Sequence, residues 1–240
     1  MKEFSYSGQE LELFSQAHNW KAYFGSMIRP YLGDCVIEVG AGIGQTAKAL
    51  SRLNDHSEWV CLEPDSNSAK LIQQLIQNQD LPTYCQVAIG TLDNIQQQQS
   101  FDSIIYIDVL EHIKDDGWEV QKAKDVLKPG GFLVVLAPAH QWLFTPFDES
   151  IGHYRRYTKK TLSRLIPKEL HCIKLCYLDC IGLSASLANK LLLRQSTPSL
   201  NQILLWDRFM IPISRKIDPL IGFSVGKTVL GIWQKMESSL

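Results

Sequence analysis

Hydrophobic positions follow two rhythms along the chain. Over residues 9–32, Leu13, Ala17, Trp20, Phe24 and Met27 recur at helical spacing and share a face, which predicts one or two amphipathic helices. Beyond them, apolar residues gather into short runs: CVIEV, EWVCLE, TYCQVAI, FDSIIYID, FLVVLAP, HCIKLCYL and KTVLGIWQK. Each run predicts a strand. Helical stretches lie between most of the first five: IGQTAKALSRL, then DSNSAKLIQQLIQNQ with Asp65 or Ser66 as its cap, then DDGWEVQKAKDVLK closed by PGG. A further helix, TKKTLSRLI, is capped by Thr158. Strands that are apolar along their whole length are covered on both faces. The alternation up to about residue 137 therefore predicts a doubly wound α/β domain with a parallel sheet.

Two segments depart from that rhythm. Gln96 to Gln99 predict a solvated loop. Residues 181–226 predict two or three helices, LSASLANKLLLR and LNQILLWDRFMIPISRKIDPLIG, inserted before the last strand. Their Leu, Ile, Trp and Phe content suits an extra layer on the sheet, a substrate lid, a dimer surface or a membrane-facing surface.

Composition narrows the classes. The 240 residues suffice for one domain with a well-buried core, and a hydrophobic content of 45% marks that domain as globular. The formal net charge of -1 argues against bulk binding to nucleic acid, and RRYTKK is the only basic run. MKEFSYSGQE holds no apolar signal segment, and no apolar run is long enough to span a membrane. A cytoplasmic monomer or homodimer with no integral membrane segment is expected. The six cysteines then read as reduced thiols. Cys172, Cys176 and Cys180 repeat every fourth residue, but on a strand each step is about 13 Å, too far for one metal ion.

Chemistry enters at VIEVGAGIGQ. Gly40, Gly42 and Gly44 follow a strand and open a helix, where glycine permits a sharp turn and lets a ligand touch backbone. The spacing is G-x-G-x-G, and Glu38 precedes the first glycine. A dinucleotide pyrophosphate would be repelled by that carboxylate; an ammonium group would be attracted. This speaks against a nicotinamide-dependent oxidoreductase, the rival enzyme reading. Glu63 closes the second strand, where a carboxylate can accept both hydroxyls of a ribose. Asp108 ends the fourth strand on the same edge. GFSVGKT has one residue too few for a phosphate-binding Walker loop, and a strand follows it.

VIEVGAGIG, CLEPD, FDSIIYIDVLEHI and LKPGGFLVVLAP appear in an order and spacing that resemble the class I S-adenosylmethionine-dependent methyltransferases over residues 35–138. The resemblance implies a Rossmann-like sheet of about seven mostly parallel strands with the last antiparallel. It implies S-adenosylmethionine as cofactor and S-adenosylhomocysteine as product. Glu38, Gly40, Ala41, Gly42 and Gly44 would face the methionine part, Glu63 the ribose and Pro64 the adenine. Thr91 and Leu92 would flank the adenine where many relatives carry an acid. Asp108, Val109 and Leu110 would contact the cofactor below the reacting methyl. Within one domain spanning 1–240, residues 1–32 form a helical cap and 33–138 the cofactor-binding core. A substrate-side loop, helix and strand (139–180), the helical insertion (181–226) and a last strand (227–237) follow.

FDESIGHYRRYT, residues 147–158, neither alternates nor repeats, and it crosses the edge where a methyl donor would lie. Within it GHYRRYT resembles a bacterial subgroup of these enzymes. His153 is a candidate general base for a hydroxyl or amine acceptor. Arg155 and Arg156 can hold an anionic acceptor, with Tyr154 and Tyr157 shaping the pocket. Equally, Asp148 and the arginines can pin the loop by ion pairs. His112, in DVLEH, is a second catalytic candidate. That motif resembles a metal-binding pattern of some quinone-biosynthesis methyltransferases with Asp108 in place of Glu, and no metal is expected here. The expected reaction is methyl transfer to oxygen or nitrogen of a small-molecule or carrier-linked acceptor. Signatures of nucleic-acid methyltransferases are missing from the sequence. A non-catalytic cofactor-binding scaffold is the rival from outside enzymology.

Overall fold

CVIEV forms β1 (Cys35–Val39) and EWVCLE forms β2 (Glu58–Glu63), each at its expected boundaries. β3 (Cys85–Ile89), β4 (Phe101–Ile107) and β5 (Leu127–Pro138) continue the series, with β6 (Leu170–Leu178) and β7 (Thr228–Lys235) beyond. The computed structural model describes residues 10–95, 100–188 and 198–237. The strands make one sheet in the order β3-β2-β1-β4-β5-β7-β6. β1 to β5 run parallel, and β7 lies antiparallel between β5 and β6. This is the expected doubly wound, Rossmann-like sheet with an antiparallel last strand.

Both faces are covered, which is why the strands carry no polar alternation. Ile105, Val134 and Leu136 face one layer, with Phe24 and Ile28 of α2 (His18–Ile28), Leu50 of α3 (Gln45–Leu50) and Ile72 of α4 (Ser66–Gln77). Ile104, Leu133 and Val135 face the other, with Val120 and Ala123 of α5 (Asp116–Val126) and Leu162 of α7 (Lys159–Leu165). Asp65 caps α4 by accepting the Ser68 N–H at 2.8 Å, as the sequence indicates.

Several boundaries differ from expectation. PGG does not separate α5 from β5: the strand starts at Leu127, and the extra residues form an irregularity where Phe101 and Ser103 pair with Leu127 and Phe132. The N-terminal stretch forms two helices, α1 (Glu10–Ser15) and α2, within the one or two expected. FDESIGHYRRYT is not wholly a loop, because α6 (Pro146–Ser150) occupies its start behind a Thr145 capping box. The insertion holds α8 (Cys180–Ala188), α9 (Leu200–Leu205), a π-helical turn (Trp206–Met210) and α10 (Ile211–Leu220). The expected Gln96–Gln99 loop, and residues 189–194 of the first insertion helix, lie outside the described residues.

The insertion and the N-terminal helices meet over the carboxyl edge of the sheet. Asp207 accepts the N–H groups of Asn19 and Trp20 at 3.0 and 2.8 Å, capping α2 from the opposite end of the chain. Asp218 accepts the Tyr23 hydroxyl at 2.8 Å and the Asp179 N–H at 2.7 Å. The Trp206 ring lies 5.8 Å from Trp20 and 6.2 Å from Phe14.

Candidate active site

β1 delivers the chain into a turn of three left-handed glycines: Gly40, Gly42 and Gly44 have φ of +70°, +55° and +79°. A side chain at Gly40 would also collide with Val109, 2.7 Å from the position of its Cβ. Gly40 and Ala41 donate their N–H groups to Leu62 O, which ties the turn to β2. Glu63 braces it further: Oε2 accepts Gly42 N–H at 2.7 Å and Oε1 accepts Asp65 N–H at 2.9 Å. Each oxygen keeps a second lone pair for another donor. Glu38 lies sealed beneath the turn, and its Oε2 accepts the Trp59 indole N–H at 3.1 Å. Burial pushes its pKa up to about 8, against the opposing pull of that bond.

A cavity of about 860 Å³ opens over this edge. Gly40, Ala41 and Gly42 form one end, Asp108, Glu111, His153 and Arg156 the floor, and Phe24, Ile203, Trp206 and Met210 an apolar wall. Asp108 is held at φ +55°, a conformation that costs a non-glycine residue about 1 kcal/mol or more. Its carboxyl opens onto the cavity with protein on its other sides. That burial raises its pKa to about 6, with His153, Lys227 and Arg156 opposing.

Asp148 organises the crossing segment. Its carboxylate accepts Thr145 N–H at 2.8 Å, His153 Nδ1 at 2.9 Å, and Arg156 through Nε at 2.8 Å and a terminal nitrogen at 2.9 Å. Burial alone would raise the Asp148 pKa, but His153 and Arg156 outweigh it and hold the group well below the carboxylate range. Since a carboxylate only accepts, His153 carries its proton on Nδ1 and leaves Nε2 as the basic atom. That Nε2 lies 3.8 Å from Glu111 Oε1. Glu111 is fully buried, and neither of its carboxyl oxygens has a hydrogen-bond partner among the described residues. Burial, reinforced by Asp108, drives its pKa well above the usual range. His112, its ring 4.5 Å from that of His153, is pushed down to about 4 by burial and by His153. Glu111, His112 and His153 bring one ligand-type atom each within 4.8 Å of one another, so they can hold a divalent cation. No metal is expected from DVLEH alone, whose first acid is the shorter Asp108; His153 joins the cluster from a distant segment.

The expected residues divide sharply. Gly40, Ala41, Gly42, Asp108, His112, His153 and Arg156 border the cavity together. Glu38, Gly44, Glu63, Pro64 and Val109 stay outside the cavity lining; Glu63 braces the turn through Gly42 N–H, and Val109 lies against Gly40. Thr91 caps a short turn through Asn94, and Leu92 is buried in the core, so neither reaches the cavity. Leu110 is likewise buried, its carbonyl accepting the Tyr157 hydroxyl at 3.1 Å. Tyr154, Arg155 and Tyr157 differ from the pocket-lining role expected of them. Tyr154 is 53% exposed on the outer surface. Arg155 pairs with Asp116 at 2.6 Å, and Tyr157 donates to the same carboxylate at 2.7 Å. Arg156 borders the cavity with its guanidinium engaged by Asp148, the pinning alternative. Lys227 and Trp206 border the cavity without having been singled out. GKT offered a signal for Lys227 that the Walker comparison discarded.

Comparison with known proteins bears on this geometry. Residues 37–133 match the family described as "Methyltransferase domain". Ubiquinone biosynthesis O-methyltransferase of Dictyostelium discoideum is 32% identical over 116 residues, 44% of this chain and 36% of that protein. Demethylmenaquinone methyltransferase of Tropheryma whipplei is 28% identical over 161 residues, 63% of this chain and 59% of that one. The chain thus matches less than two thirds of the length of either relative. Among solved structures, geranyl diphosphate C-methyltransferase from Streptomyces coelicolor superposes with TM-score 0.66 at 12% identity, over 96% of this chain and 85% of its own. The cyclase SpnF superposes with TM-score 0.64 at 13% identity, over 96% of each chain. These two likenesses establish the fold. Residues 37–133 thus resemble a methyltransferase domain, and the sheet that carries them has the fold of these solved structures.

Proposed function

We propose that this protein transfers the methyl group of S-adenosylmethionine to an oxygen of an apolar, small or carrier-linked acceptor; the ubiquinone-biosynthesis relatives are named as O-methyltransferases. The observation that carries this reading is the pairing of the glycine turn with His153 Nε2 across one cavity. Glu38 braces from below the glycine turn that receives the methionine part of the ligand, and Glu63 offers its remaining lone pairs to the ribose. The cavity would hold acceptor and sulfonium in line. An acceptor oxygen attacks the methyl carbon, the carbon–sulfur bond breaks, and its electron pair neutralises the sulfur. His153 Nε2 takes the hydroxyl proton, and Asp148 stabilises the resulting imidazolium. The GHYRRYT segment thereby supplies the base, on a scaffold pinned by Arg155 and Arg156.

A second reading of the same site is favoured by the unpartnered Glu111 carboxyl. With His112 and His153 it would ligate a divalent cation, which when bound acidifies an acceptor hydroxyl. Calorimetry with S-adenosylhomocysteine, followed by turnover of labelled methyl donor in a small-molecule extract, tests the proposal. Binding and a labelled product are expected. His153→Ala should keep the binding and lose about 10²–10⁴-fold in rate. Binding without any labelled product would favour a scaffold, and rate restored only by added Mg²⁺ or Zn²⁺ the second reading.

A further inference from the structure

Three cationic chains border the cavity among the described residues: Lys21, Arg156 and Lys227. Two are already engaged. Lys21 donates to Phe14 O at 2.8 Å and Ser15 O at 3.0 Å, and Arg156 grips Asp148. Lys227 is different. Its Nζ lies 3.9 Å from the centroid of the Trp206 ring and 3.8 Å from Asp179 Oδ2. That carboxylate is filled by others: Gly182 N–H at 2.9 Å and Ser214 Oγ at 2.6 Å on Oδ1, and the Trp206 indole N–H at 2.7 Å on Oδ2. The Lys227 ammonium thus has a counter-charge and an aromatic platform, but no hydrogen-bond acceptor within 3.5 Å among the described residues. The Lys227 side chain keeps 25% of its surface open, and its three donors are available to whatever occupies that opening. What faces it is the cavity, between Asp108 at the reacting end and the apolar wall of Ile203 and Met210.

We propose that Lys227 binds an anionic oxygen, a carboxylate or an ionised phenol, carried on the apolar body of the occupant of this cavity. The geometry transfers to Lys227 the anion-holding role that the sequence suggested for Arg155 and Arg156. Calling that occupant the methyl acceptor rests on the function proposed above; the charge preference does not. Trp206 fixes the position of the ammonium, and Asp179, anchored to α8 and α10, keeps it charged.

Matched probe pairs test this: 2-naphthoate against 2-naphthamide, and 4-nitrophenolate against 4-nitroanisole, titrated into the intact protein by calorimetry with and without S-adenosylhomocysteine. The anion of at least one pair should bind about tenfold or more tighter than its neutral partner, and which pair does so distinguishes carboxylate from phenolate. Lys227→Met should abolish the preference and Lys227→Arg should retain it, with S-adenosylhomocysteine affinity reporting that each variant is folded. Equal binding of anion and neutral partner in both pairs by the unmodified protein would overturn the proposal without recourse to any variant. So would an undiminished preference in Lys227→Met. Failure of S-adenosylhomocysteine to bind the unmodified protein would instead remove the methyl-donor reading, with the anion preference still measured separately.

Discussion

A carboxyl group sealed under Gly40, with one indole N–H as partner, loses its hydration, and Glu38 therefore holds its proton up to about pH 8. The native state binds that proton more tightly than an unfolded chain, where the pKa is near 4.5. Stability is thus lost as pH rises between those two values, at up to about 1.4 kcal/mol per pH unit. Glu38→Gln removes the titration. The variant should match the parent protein near pH 4.5, surpass it in denaturant unfolding at pH 8, and bind S-adenosylhomocysteine more weakly. Unfolding midpoints that stay parallel across this range would exclude Glu38 as the titrating group. Glu38 and the three glycines were legible in the sequence because the turn and its acid are contiguous. Glu111 was visible beside Asp108 and His112 in DVLEH, but its approach to His153 was not, nor was Lys227, whose significance lies in Trp206 and Asp179; each partner is supplied by a distant segment.

Helix α2 depends on an acid that its own sequence does not contain. Ala17 precedes it and offers no side-chain cap, while Asp207 reaches across from the π-helical turn to the first amides. Asp207→Ala would leave the Asn19 and Trp20 N–H groups without that acceptor. A loss of about 2–4 kcal/mol is expected, read by urea unfolding with a constant slope. A loss below about 0.5 kcal/mol would mean that the cap is dispensable. Elements with a long apolar period were legible: β1 and β2 to the residue, α4 to its capping Asp65. α6 was missed because five residues cannot display a helical period, although Thr145 and Asp148 form the capping box that marks its start. The extra length of β5 was hidden by PGG, which the strand absorbs as an irregularity instead of ending there.

At the scale of the whole molecule, the cavity is an assembly of segments from both ends of the described chain. Phe14, Trp20 and Trp206 meet above it, so a ligand touching the glycine turn also bears on α2 and the insertion. Hydrogen exchange should therefore slow in residues 18–24 and 203–210 together when S-adenosylhomocysteine is bound. Protection confined to residues 40–46 would show that the cap is uncoupled from the turn. The alternation of strand and helix was enough to foresee a sheet covered on both faces. It did not reveal that the insertion walls the cavity, because apolar residues stand both inside and outside it: Trp206 and Met210 line the cavity while Leu204 and Phe209 are exposed outside that lining. The position of β7 has a temporal consequence. β6 touches the sheet only through β7, so during vectorial synthesis on the ribosome it emerges with no partner and stays an open edge until the insertion and β7 have both left the tunnel. A stall within the insertion would present that edge to other nascent chains, and a chaperone that shields extended segments would act on this interval.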